Sequence, residues 1–167
     1  MNARAKLDHD GPTGGPDASD PQRNSLRELR QYAARRETAL KAERLLGLQI
    51  PRQFGGEGAG LTDIAEGCYA LGQACSAAAM VFAMHHIKVS SLVSHGLDSA
   101  WHCRLMERIA GEQLLVASST TEAGIGGDLR NSLCAVEAEG ATFALGKDAS
   151  VISYGAQADL ILATARR

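Results

Sequence analysis

Residues 114–128 read LLVASSTTEAGIGGD, an apolar run that passes into hydroxyl side chains and then into glycines. The apolar run predicts a buried strand, and the polar and glycine-rich residues after it predict a loop. Because glycine has no Cβ, such a loop lets backbone N–H groups approach an anionic or heteroaromatic ligand closely. The stretch therefore predicts a strand that leads directly into a ligand-binding loop.

Helical periodicity dominates the chain before this strand. A capping box that begins at Ser25 predicts a first helix, which we expect to end at Gly47. Apolar spacing predicts further helices over residues 61–74, 76–94 and 98–109. We expect the third of these four helices to be the central buried helix, because it is apolar almost all round. Two caps and three inward-facing residues are also predicted around the last two helices: Gly96 as C-cap, Asp98 as N-cap, and Trp101, Leu105 and Ile109.

After residue 113 the spacing of apolar residues changes from the helical period to the two-residue period of strands. We expect a strand over residues 114–119, a hairpin of residues 133–138 and 142–145, and short strands over 151–153 and 160–165. Gly140 and Ala141 form the predicted hairpin turn. Four helices followed by strands predict an α+β chain with its two parts in series.

Composition and charge exclude several functional classes. The chain has 167 residues with 45% hydrophobic and 4% aromatic content, which is enough for a core built from small side chains. A net charge of −2 gives no support for binding nucleic acid or an anionic membrane. Residues 1–22 are rich in glycine and proline and lack an apolar run, so we expect a disordered tail that is not a signal peptide. No uncharged apolar stretch reaches the length of a membrane span.

Cysteines and histidines show no spacing typical of a metal site. The four cysteines (Cys68, Cys75, Cys103 and Cys134) are predicted to be reduced, packed side chains, which suits a cytoplasmic location. Adjacent histidines on a helix point about 100° apart, so His85 and His86 cannot easily bind one ion. We expect one of them to be buried and the other partly exposed.

Three segments in order resemble the acyl-CoA dehydrogenase family. Residues 120–128 are similar to the family signature Thr-Glu-Pro-x-x-Gly-Ser-Asp, with Ala123 in place of proline and Gly127 in place of serine. Upstream, residues 46–58 look like the family's P-x-x-(F/Y)-G-G-x-G elbow between helices. Downstream, residues 146–159 resemble the second flavin strand and its Ala-Asp continuation.

The resemblance implies a domain organisation and a cofactor. Residues 23–112 would be the N-terminal helical domain, and residues 113–167 the first strands of an antiparallel β-barrel domain that is truncated. FAD is the implied cofactor, and Ser153 matches a hydroxyl that contacts flavin N5. The implied cofactor-binding residues are Ser118, Thr120, Thr121, Gly126, Gly127, Val151, Ile152 and Ser153.

The implied activity is FAD-dependent oxidation of a CH–CH group in an acyl-CoA ester, as in fatty acid metabolism. The family's catalytic glutamate lies in a C-terminal domain that this chain lacks, and Glu122 matches a structural glutamate. No catalytic residue is therefore assigned, and we expect the chain alone to be inactive. The family forms homo-oligomers, which is not carried over to a truncated chain. Two alternatives stay open: a non-catalytic remnant or interaction module, and a relative of the flavin-dependent monooxygenases.

Overall fold

The computed structural model describes residues 38–125, 128 and 131–166; the predicted tail (1–22) and the start of the first predicted helix lie outside them. After a helical segment over residues 38–42 come three helices: α1 (Leu61–Ala74), α2 (Ser76–His95) and α3 (Ala100–Glu112). Four strands follow: β1 (Val116–Ser119), β2 (Val136–Glu139), β3 (Thr142–Leu145) and β4 (Leu160–Ala163). Helices followed by strands confirm the α+β prediction.

The first predicted helix ends earlier than its sequence pattern indicates. Helical structure stops at Ala42, Arg44 has a left-handed φ of 54°, and Leu45–Gly47 forms a separate 3-10 turn. A distant side chain holds this turn: Gln113 Oε1 accepts a hydrogen bond from Leu46 N at 3.1 Å. Since this contact joins residues 67 positions apart, local periodicity could not reveal it.

Helix α3 begins two residues later than predicted. Ser99, and not Asp98, is its N-cap, because the Ser99 hydroxyl accepts a hydrogen bond from His102 N. Trp101 is 60% exposed, so the prediction that it packs inward is wrong. Met106 and Ile109 are fully buried and pack this helix against the core. Gly96 caps α2 as predicted.

Helix α2 is the central helix of the fold, although it is not buried all round. Phe82, Val89 and Leu92 are buried, whereas Met80 and Ile87 are about 60% exposed. Within the described residues, α2 is also the one helix whose length and composition would suffice to cross a membrane, contrary to the sequence-based expectation. The core helix of a soluble protein meets the same criterion, so this is weak evidence for a span.

The strands form two separate two-stranded sheets. β2 and β3 form the predicted antiparallel hairpin around Gly140 and Ala141, whereas β1 pairs with β4 in parallel, with Val116 opposite Leu160. The parallel pair differs from the antiparallel arrangement that we expected, and the described strands do not close a barrel. Residues 151–153 form loop and turn instead of a strand, because Gly155 N turns back to bond Ile152 O at 3.1 Å.

The glycine-rich elbow before α1 is built by close backbone approach. Gly55 ends the 3-10 turn Arg52–Phe54 with φ 84°, a conformation that favours glycine. At Gly56, a Cβ atom would lie 2.1 Å from Ile50 O and 2.6 Å from Gly47 O. The elbow folds Ile50 into one hydrophobic cluster with Val89, Leu92, Met106, Ile109, Ala110 and Val116.

Candidate functional site

His85 fixes the position of β1 relative to the helices. The side chain is fully buried; its Nε2 bonds Leu46 O at 2.8 Å, and its Nδ1 accepts from Val116 N at 3.1 Å. Because Nδ1 accepts and a carbonyl can only accept, the ring must be the neutral tautomer with its proton on Nε2. One imidazole thus joins α2, the 3-10 turn Leu45–Gly47 and the first residue of β1.

His86 is also buried, so the expectation that one histidine of the pair is partly exposed is wrong. Its Nε2 bonds Leu45 O at 3.0 Å. Burial, with a smaller contribution from His86, lowers the pKa of His85 to about 3. Burial likewise lowers the pKa of His86 to about 4. Both rings are therefore neutral near neutral pH.

The two histidines should make the protein acid-sensitive. Their folded-state pKa values lie below the ordinary 6.5, so the unfolded chain binds more protons as the pH falls. The contribution of the two neutral histidines to the free energy of unfolding should be fully present above pH 6.5. Below pH 6.5 it should fall by up to about 1.4 kcal/mol per pH unit for each histidine. Urea unfolding between about pH 7 and about pH 5 measures this slope.

An exposed histidine provides the control for this measurement. His95→Gln should keep the slope of the wild type, whereas His85→Gln should reduce it. A urea midpoint that stays constant from about pH 7 to about pH 5 would contradict the assignment of neutral buried rings.

The hydroxyl-bearing residues at the end of β1 and just after it form the first part of the candidate site. Ser118 is half-buried, and its Oγ is a buried atom with no hydrogen-bond partner. Thr120 is half-buried and Thr121 is exposed just beyond the strand. Thr121 Oγ1 donates to Val151 O at 3.4 Å, so the two predicted flavin segments, 30 residues apart, meet here.

The second segment is an exposed loop. Val151 is 67% exposed, Ile152 is half-buried and Ser153 is exposed. Tyr154, with φ 45°, anchors the loop by donating its hydroxyl proton to Val116 O at 3.0 Å. Burial raises the pKa of Tyr154 to about 12, so this donor stays protonated at neutral pH.

Glu122 and Lys147 join the loop after β1 to the residues before Val151. The two side chains form an ion pair with only 3% and 8% of their surfaces exposed. Glu122 also accepts hydrogen bonds from the Ser132 hydroxyl and Leu133 N, and Lys147 donates to Thr164 O at 2.9 Å. Hydrogen bonds from Lys147 and then Ser132 lower the pKa of Glu122 to about 2.

These contacts decide what Glu122 can do chemically. A general base needs a pKa near the working pH and a free lone pair within reach of the substrate proton. The Glu122 carboxylate has a far lower pKa and is occupied by four groups of the protein itself. The structure therefore gives Glu122 the role of holding the loop.

The glycines of the motif, Gly126 and Gly127, lie outside the described residues. Beside them, Asp128 N bonds Ile125 O at 3.0 Å, and Asn131 Nδ2 donates to the Asp128 carboxylate at 2.6 Å. Across residues 38–125, 128 and 131–166, no group of three or more histidine, cysteine or acidic side chains could hold a metal ion. The site thus offers hydroxyl groups and an apolar surface.

Sequence reasoning missed three residues that hold this site together. Lys147, Tyr154 and Asp159 each contact a segment at least 17 residues away. Asp159 accepts from Leu115 N at 2.7 Å and from Lys41 Nζ at 2.6 Å, which attaches β1 to the first helical segment. All three lie within the downstream motif of residues 146–159, but no local pattern predicted the contacts that they make.

No family model matches the chain, and a search of curated proteins finds no match. The likeness to acyl-CoA dehydrogenases therefore rests on the motif residues and their placement.

Proposed function

We propose that the described residues after α3 form one wall of a flavin site in an acyl-CoA dehydrogenase-like flavoprotein. The observation that carries the proposal is the meeting of the two motif segments at the end of β1. Thr121 bonds Val151, and Ala123 N bonds Asp148 O at 3.1 Å. The buried pair of Glu122 and Lys147 holds the same two segments together. FAD is the proposed cofactor and an acyl-CoA ester the proposed substrate.

The chemistry of this wall suits an isoalloxazine ring. Such a ring needs an apolar surface, and it needs hydrogen bonds to the polar atoms along its edges. Val151 and Ile152 offer the apolar surface, and the exposed Ser153 offers a hydroxyl. Ser118 supplies a buried hydroxyl without a protein partner, which is the kind of group that a ligand would satisfy.

Bound FAD would supply the hydride acceptor for oxidation of the substrate. The residues of this wall would bind and orient the ring, with Thr120, Thr121 and Ser153 as hydrogen-bonding groups. Glu122 would keep the loop in place through its bonds to Lys147 and to the backbone. Removal of the substrate proton would fall to a group other than Glu122, because its carboxylate is already occupied.

A non-catalytic interaction module is the second candidate, and one observation favours it. The β2–β3 hairpin is exposed on both sides, and its apolar side chains Val136, Phe143 and Leu145 are each 40% or more exposed. Exposed apolar groups of this kind often mark an interface. The His85–His86 pair gives no support to the monooxygenase alternative, because both rings bind backbone carbonyls.

The cellular setting that we propose is the cytoplasm. In the described part of the chain, Cys68, Cys75, Cys103 and Cys134 form no disulfide, which suits a reducing compartment. A formal charge of −2 provides no attraction to nucleic acid, and we propose a small-molecule partner instead.

Ser153→Ala should weaken FAD binding by about three- to tenfold, since one hydrogen bond to the ring would be lost. The matched control is Ser150→Ala, an exposed serine three positions away that matches no flavin contact. Quenching of flavin fluorescence during titration with protein measures both affinities. We expect weak binding, with little yellow colour retained after gel filtration, because the described residues provide only one wall.

Equal affinities of the two serine variants would contradict the role of Ser153. Absence of any saturable FAD binding to the wild type would contradict the proposed function itself. In that case, self-association or capture of a protein partner through the hairpin would be the next measurement.

A further inference from the structure

A cavity of about 500 Å³ opens between α1 and α2, on helices that do not contribute to the proposed flavin wall. Ile64 is the one buried residue of α1, so the rest of the helix leaves space against α2. The apolar part of the wall consists of Leu61, Ile64, Ala65, Cys68, Ala83 and Ile87. Small-molecule sites typically have volumes of about 300–1,000 Å³, so this cavity is large enough for one.

Two hydrogen-bond acceptors in the wall have no partner in the protein. His86 is 98% buried by surface area, and its Nδ1 is unpartnered, as is Oε1 of Gln49. Because His86 Nε2 must carry a proton to donate to Leu45 O, Nδ1 holds a free lone pair. Neither atom has a hydrogen-bond partner in the protein, so a donor that binds there replaces no hydrogen bond within the protein.

The wall has no charged group suited to an ionic ligand. No lysine, arginine, aspartate or glutamate lines the cavity, and the remaining polar residues of its wall are Ser90, Ser91, Ser94 and His95. Burial keeps the imidazole of His86 neutral, and burial also raises the pKa of the Cys68 thiol, so it stays protonated. Transfer of an ion into an apolar site without a partner is strongly unfavourable. An uncharged occupant therefore fits this wall best.

We propose that the cavity between α1 and α2 binds a neutral, mainly apolar small molecule whose hydroxyl or N–H group donates to His86 Nδ1 or Gln49 Oε1. Apolar contacts with α1 and α2 would supply most of the affinity, and the donor would set the orientation. The proposal does not depend on flavin binding, since none of the residues that line the cavity belongs to the wall described above.

A matched pair of probes tests the donor requirement directly. 4-Propylphenol and 4-propylanisole have similar size and apolar surface, but only the phenol donates a hydrogen bond. Isothermal titration calorimetry on the full chain, without flavin, measures both affinities. We expect one phenol per chain, with a Kd on the order of 0.1–1 mM, and about three- to tenfold weaker binding of the anisole.

Two variants test whether the probes bind in this cavity. Gln49→Met removes one hydrogen-bond acceptor while keeping the side-chain length. It should therefore reduce the difference in affinity between the phenol and the anisole. Ala83→Phe fills the cavity and should abolish binding of both. Arg108→Gln, on the exposed face of α3, is the control that should bind both probes as the wild type does. Nitrogen NMR of the imidazole gives an independent readout, since the His86 Nδ1 signal should shift with phenol.

Three results would overturn the proposal. One is no saturable binding of the phenol, as expected if ordered water alone satisfies the two acceptors. Another is equal affinity for both probes in the wild type. The third is unchanged phenol binding by folded Ala83→Phe, which would place the ligand elsewhere.

Discussion

Gly56→Ala should lower the Tm of the protein by about 10 °C or more. The added Cβ would lie 2.1 Å from Ile50 O and 2.6 Å from both Gly47 O and Ile50 Cβ. Two of these three atoms belong to the backbone, so no side-chain rotation can relieve the overlap. The elbow would have to open, and Ile50 would lose its place in the core. Circular dichroism during heating measures the change.

Gly111→Ala is the matched control for this substitution. Gly111 lies near the end of α3, and a Cβ there meets no atom within 4 Å. Because alanine is the better helix former, the Tm should stay the same or rise by about 1–3 °C. A Gly56→Ala protein as stable as the wild type would show that the elbow is not built as described.

Lys147→Met should lower the Tm on the order of 10 °C, because it leaves the Glu122 carboxylate buried without its cation. The loop after β1 and the segment before Val151 would separate, so any flavin affinity should fall as well. Glu122→Gln should act in the same direction by leaving the Lys147 ammonium unpaired. Thermal unfolding at about pH 7 measures both variants.

The exposed ion pair of Arg108 and Glu112 on α3 is the control for this prediction. Its side chains are more than half exposed, and Arg108→Gln should change the Tm by less than about 2 °C. An equally small change in Lys147→Met would show that the buried pair does not hold the loop. The low pKa of Glu122 adds a second check: stability from this pair should be present above pH 4.5 and should be lost as the pH falls toward about 2.

Helices were the part of the fold that local sequence determined best. The bounds of α1 match the prediction, and α2 differs from it by one residue at its end. Both helices are bounded by residues whose preference is local, such as Gly96 at the end of α2. The prediction failed at two helix ends: the first helix stops before a turn that the distant Gln113 holds, and Ser99 replaces its neighbour Asp98 as the local cap of α3.

Strands were harder to predict from local sequence, because a strand forms only when it pairs with another strand. The hairpin of β2 and β3 was predicted from its local turn, and β3 has the predicted bounds. The pairing of β1 with β4 joins residues 44 positions apart and is parallel, and no local pattern specifies that choice. Residues 151–153 have strand-like composition but become a loop, since Gly155 N turns back to Ile152 O and Tyr154 bonds Val116 O.

By itself, the sequence determined the α+β class and the positions of α1 and α2, because helical periodicity and capping act over a few residues. Tertiary structure alone decided that the residues after β1 meet the loop around Val151, that Glu122 is neutralised by Lys147, and that both His85 and His86 are buried. It also decided that a cavity with two unpartnered acceptors lies between α1 and α2. These features depend on contacts between distant residues, and burial and charge pairing follow from such contacts and not from local pattern.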